Sequence, residues 1–127
     1  MIQNDIAEIL EAEGFGIFGE DIFLNKLSDK PDNMIAVKLL PGFPFSPKIR
    51  DVTYSMQIML RQLDYEKAQK DASEIANMFD NGETRYRIAP SGRKMVCKIL
   101  GAPYPFNIDE SNRIIYSINL HVTTIRD

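Results

Sequence analysis

A chain of 127 residues, 44% hydrophobic and 26% charged, fits one domain with its own core, burying roughly two-thirds of its unfolded surface within a radius of about 14 Å. No apolar run approaches the roughly 18 residues that span a bilayer. A single Cys97 and a single His121 rule out an intramolecular disulfide and supply too few soft ligands for zinc, so neither a metal nor a cofactor is expected.

The first element in chain order is a short helix. Asp5 followed by Glu8 has the spacing of a capping box, Ile6, Ile9 and Leu10 form one stripe, and Gly14 supplies a stop. The segment from Met1 to Leu10 is acidic and lacks the basic flank of a secretory signal, so the protein is expected to be intracellular when made. After a flexible stretch over 14–19, strands are predicted over 21–27 and 34–40, joined by a turn-rich 28–33 as a hairpin. Residues 41–47 hold three prolines and two aromatics, Phe43 and Phe45, and cannot form a central strand because each proline removes a ladder donor.

Strict alternation then sets in. Val52, Tyr54, Met56, Ile58 and Leu60 face one way and Thr53, Ser55, Gln57 and Arg61 the other, which predicts a long central strand over 51–62. Asp64 caps a helix whose Tyr65, Ala68, Ala72, Ile75, Ala76 and Phe79 recur at three and four residues, closed by Asn81-Gly82. Further strands are predicted over 84–89, 94–100 and 113–125, with a proline-rich loop over 101–112 carrying Tyr104 and Phe106. The fold class is α+β, one domain over 1–127, in the order α-β-β-β-α-β-β-β. It is a mainly antiparallel sheet with two helices packed on it. A last strand of roughly 43 Å must bend, bulge or project, and a projecting end offers an edge to a neighbour.

Charge is split along the chain. Up to Asp32 there are eight acids against Lys26 and Lys30, whereas the stretch from Thr84 to Ile108 has no acid and carries Arg85, Arg87, Arg93, Lys94 and Lys98. Such a split suits opposite faces meeting in a head-to-tail ring, with Arg85, Arg87 and Arg93 against a neighbour's acids. It also suits a single-stranded nucleic-acid face over Thr84 to Lys98, although Tyr86, expected to be buried beside Ile88, is the one aromatic among these cations and the pI of 5.2 is acidic.

Catalysis finds little support. Cys97 and His121 both sit in strand patterns, and adjacent acids such as Glu20-Asp21 point to opposite faces of a strand. The glycines at 14, 16 and 19 match GxGxxG, but a helix precedes them and a strand follows, the reverse of a dinucleotide fingerprint. The chain is read as a non-enzyme. The aromatic loops at Phe43, Phe45, Tyr104 and Phe106 either fold onto the core or are kept for a partner, stiffened by proline.

The run from Tyr54 to Arg61, followed by Asp64-Tyr65-Glu66-Lys67-Ala68 and the Ala72, Ile75, Ala76 stripe, resembles the tail terminator and minor capsid (head-tail joining) proteins of long-tailed bacteriophages. The end is similar too, a long last strand from Arg113 to Leu120 finishing in Arg126. The resemblance implies a structural virion protein at the tail-head junction, assembled in the host cytoplasm as a homo-oligomer, a hexameric ring. The ring stops tail-tube polymerisation and meets both the tail-tube protein and the head-tail connector. Genome DNA passes through it without sequence-specific binding, and no membrane is involved. Phe43, Phe45, Arg85, Arg87, Arg93, Tyr104, Phe106 and Arg126 are the expected subunit or partner contacts.

Overall fold

The computed structural model describes residues 2–42, 50–80 and 86–125. In it the chain runs α1 (Ile2–Ala12), β1 (Ile22–Leu24), β2 (Met34–Leu40), β3 (Asp51–Gln62), α2 (Tyr65–Phe79), β4 (Arg87–Ile88), β5 (Lys94–Ile99), β6 (Tyr104–Ile108) and β7 (Ile114–Ile125). The expected α+β class and element order hold, with one strand added. All seven strands form one sheet in the order β1-β2-β3-β7-β5-β4, with β6 on β7. The predicted central strand is central: β3 pairs antiparallel with β2 on one side and, over all twelve of its residues, with β7 on the other.

Full pairing with β3 also answers where the long last strand goes. β7 does not project; its irregularity is taken up by its other neighbour. β5 covers β7 from Leu120 to Thr124 and β6 covers it from Ile114 to Ser117, so the two short strands are one interrupted strand, broken at Gly101-Ala102-Pro103. The loop expected over 101–112 thus contains β6. Pro105 is tolerated there because an edge strand can lose a donor on its outer side, and a bulge falls between Pro105 and Asn107.

Alternation on β3 and β7 sorts the sheet into two faces. Met56, Ile58 and Leu60 lie beside Leu120, Ile118 and Tyr116 and form one core with Ile6, Ile9 and Leu10 of α1 and Ala68, Ala72, Ile75 and Phe79 of α2. Each fully buried aliphatic side chain there contributes about 1.5–3 kcal/mol. The opposite face holds polar cross-strand pairs: Thr53 and Thr123 hydroxyls lie 2.9 Å apart and Gln57 Nε2 donates to Ser117 Oγ at 2.8 Å.

Several local expectations change. β1 and β2 pair in parallel, not as a hairpin, because the chain crosses back over residues 25–33 before entering β2. α1 begins at Ile2, so Asp5 lies within its first turn and is buried. It does not cap the helix. Gly14, at φ +87°, does end α1, since only glycine takes that backbone without strain. Asp64 caps α2 as predicted, accepting from Glu66 N at 3.0 Å and Lys67 N at 3.1 Å, while Tyr65 is exposed and outside the stripe. Among the described residues the strand expected over 84–89 reduces to Arg87–Ile88, and Tyr86 and Ile88 are exposed where burial was expected.

Candidate interaction surfaces

Two arginines dominate one end of the sheet. Arg61, the last-but-one residue of β3, and Arg113, just before β7, are 4% and 5% exposed. Arg61 Nε donates to Asp32 O at 3.0 Å, and its Nη2 donates to Pro31 O at 2.7 Å and Asp29 O at 3.3 Å. Arg113 reaches the same loop at Asp29 O and Asp32 Oδ1, and bonds Asp109 Oδ2 at 2.8 Å. The rigid fork of a guanidinium suits several acceptors at fixed angles. These residues position the 25–33 crossover.

Electrostatics at this end follow from burial and neighbours. Burial, then the like charge of Arg113, lowers the Arg61 pKa against the raising effect of Asp109, Asp29 and Asp32. For Arg113 burial acts the same way but is outweighed by its hydrogen bonds to Asp109 and Asp32 and by the charges of Asp109 and Asp29. Burial pushes the Asp109 carboxyl up, yet hydrogen bonds from Arg113 and Ser111 leave it below its ordinary value.

The basic region meets the acidic region within the chain. Arg87 Nη2 bonds Glu13 Oε1 at 2.7 Å and its guanidinium lies 5.8 Å from the Phe79 ring centroid. Arg93 Nε bonds Asp5 Oδ2 at 2.8 Å, and Ser91 donates to Asp5 Oδ1 at 2.6 Å. The expectation that Arg87 and Arg93 face a neighbour's acids therefore meets a nearer answer: Asp5 in the first turn of α1 and Glu13 just past its end supply those acids. These pairs also weaken the nucleic-acid reading, since two of its cations are already held by carboxylates. Lys94 lies 5.2 Å from the Tyr86 ring centroid. Arg85, Phe43, Phe45 and Arg126 lie outside the described residues.

Tyr104 and Phe106 do belong to a surface. All of β6 is exposed, with Tyr104 at 49%, Phe106 at 44% and Ile108 at 51%. Among the described residues β6 has a strand neighbour on one side only, β7. An open edge carrying three large apolar side chains is a template for pairing with another chain. Sequence reasoning found the two aromatics but not the strand beneath them, and it missed Ile108 as a surface residue.

Cys97 and His121 cannot act together. Cys97 pairs with Val122 on the core face, whereas His121 faces the other way beside Ser55 and Lys98. Burial pushes the Cys97 thiol up to about 12, with Arg87 acting against it, so the thiolate that a nucleophile requires is suppressed. Among the described residues no cluster of His, Cys, Asp and Glu has the arrangement of a metal site, and no helix is long and apolar enough to cross a membrane. At Gly16 a Cβ would come within 2.5 Å of the Asp21 carboxylate. That glycine serves the close approach of Asp21, not a phosphate.

Compared with known proteins, residues 9–124 match a family model described as bacteriophage tail terminator protein. No curated protein matches the chain.

Proposed function

The chain belongs to the bacteriophage tail terminator family, and on that premise we propose that it forms a ring, a hexamer when assembled, at the head-proximal end of the tail tube. The ring stops tube polymerisation, joins the tail to the head connector and lets genome DNA pass. It is a structural phage tail protein and a virion component that interacts with other phage tail or head proteins.

Beyond the family, the observation that carries the reading is the β6 edge. A chain of 127 residues that holds out Tyr104, Phe106 and Ile108 on a strand paired, among the described residues, at one edge only has a surface suited to burial against protein. The contact residues proposed for subunits or partners are Tyr104 and Phe106 on that strand, together with Phe43, Phe45, Arg85, Arg87, Arg93 and Arg126.

Deleting the gene from its phage and examining lysates by electron microscopy tests the proposal. Tubes of uncontrolled length together with unjoined heads are expected. Normal-length tails joined to heads in the deletion strain overturn it.

A further inference from the structure

At the Gln62 end of β3 a cleft of about 350 Å³ is walled by Glu13 and Asp21 on one side and by Lys67, Asp71 and Glu74 of α2 on the other. Four carboxylates stand against one lysine, Glu13 among them already paired with Arg87, and burial raises the Asp71 carboxyl above its usual value, with Lys67 opposing and Glu74 adding. Acids alone do not make a site. The second observation is Gln62, which is 6% exposed and lines the same cleft. Its amide nitrogen donates to Asp71 Oδ2 at 3.4 Å, and its amide oxygen is buried without a hydrogen-bond donor among the described residues. Buried acceptors in native proteins are nearly always satisfied. A group that brings positive charge and N–H donors together fits such a cleft.

The chain itself carries that group. At the other end of β3, about 35 Å away at about 3.3 Å per residue, a groove is lined by Arg50, Ser91, Arg93, Lys94 and Ile125, with no carboxylate among the described lining residues. Arg93 is bonded to Asp5 of its own helix; Arg50 and Lys94 are exposed. An anionic cleft and a cationic groove at opposite ends of one strand are two unlike halves of a heterologous contact, the kind that generates rings.

We propose that Arg50 and Lys94 of one copy enter the Gln62, Asp71, Glu74 cleft of the next, head to tail. The inference rests on the ring reading and names the surfaces that meet. It replaces the Arg87 and Arg93 contacts with cations that are not held by α1.

Charge reversal in the phage tests it. A gene-deleted phage is supplied with Glu74→Lys, with Arg50→Glu/Lys94→Glu, or with all three changes, and infectious particles are counted. Each single-end variant is expected to lower the yield at least about tenfold, because like charges then face each other across the contact, and the triple variant to recover to within about threefold of the unmodified protein. Single-end variants at full yield, or a triple variant no better than either, overturn the contact. Loss without recovery is also what a nucleic-acid groove predicts. Where a reversal itself lowers the melting temperature, Glu74→Gln and Arg50→Gln replace it: the double neutral variant is then expected to be no worse than the poorer single, and additive losses overturn the contact. A deletion strain with normal tails condemns the ring reading instead, so the two failures are told apart.

Discussion

Two pairs of arginines hold this fold at different places, and they do so by different physics. Arg61 and Arg113 are almost wholly buried: Arg61 spends its Nε and Nη2 donors on backbone carbonyls of a loop, and Arg113 grips the same loop at Asp29 O and Asp32 Oδ1 while pairing with Asp109. Arg87 and Arg93 are 24% exposed at the side chain, and their carboxylate partners are Glu13, just past α1, and Asp5 in its first turn. The first pair fixes a path of the chain that no ladder bond specifies. The second pair latches a helix whose apolar stripe already holds it. Buried guanidinium bonds to several acceptors are costly to lose, whereas ion pairs near the surface contribute little after screening and side-chain ordering. The difference teaches which charges are structure and which are adjustable.

The largest effect is therefore expected at Arg61. Replacing it by Ala takes the donor from the carbonyls of Pro31 and Asp32, leaves Asp29 O to Arg113 alone, and removes a buried aliphatic stem, at a cost of about 3 kcal/mol. Relief of repulsion with Arg113 returns part of that. Arg61→Lys should recover less than half, since one ammonium on a flexible stem cannot reproduce the fork. Urea midpoints measure both, and a loss under about 1 kcal/mol for Arg61→Ala would show that the loop is held without it.

The same comparison explains what was legible in the sequence. β2, β3 and α2 were readable because each is specified locally, by a near-continuous apolar run over 34–40, by alternation over 51–62 and by Asp64 with the alanine stripe. The parallel crossover was not. Its cause is a pair of arginines separated by the whole of α2 and three strands, and each looks like an ordinary surface charge when read along the chain. Asp5 misled for a related reason: a carboxylate in the first turn resembles a cap, and only tertiary packing brings Ser91 and Arg93 to it. β6 was hidden by Pro103 and Pro105, which argue against a central strand but are compatible with an edge. Of the candidate surface, the aromatics at Tyr104 and Phe106 were visible, while the Gln62, Asp71, Glu74 cleft was not, because Gln62 ends a strand and the acids face outward from a helix.

A smaller effect sharpens the second pair by itself. Asp5 is 4% exposed and bonded by both Ser91 and Arg93, whereas the Glu13 side chain is 47% exposed and pairs with Arg87. Asp5→Ala is expected to cost about 1–3 kcal/mol, the range for leaving buried partners unpaired. Glu13→Ala is expected to cost at most about 1 kcal/mol. Equal losses in parallel denaturation curves would mean that burial does not separate the two ends of the α1 latch. High salt should widen the difference, because it screens the exposed Glu13 pair more than the buried Asp5.

The smallest stability effect belongs to the strand that the arginines do not touch. Phe106 and Tyr104 are nearly half exposed, so Tyr104→Ser/Phe106→Ser should change folding stability by no more than about 0.5 kcal/mol each. In the assembled particle the same side chains are expected to be covered, and there the loss is of buried aromatic area, which dominates interface energetics. A double variant that melts with the unmodified protein yet fails to restore tail–head joining in a gene-deleted phage fits β6 as a contact strand. A variant that melts normally and joins tails to heads at full yield removes β6 from the interface and leaves its exposed edge without a role in assembly. The two readouts separate because a core residue would lose both together, while a contact residue loses only the second.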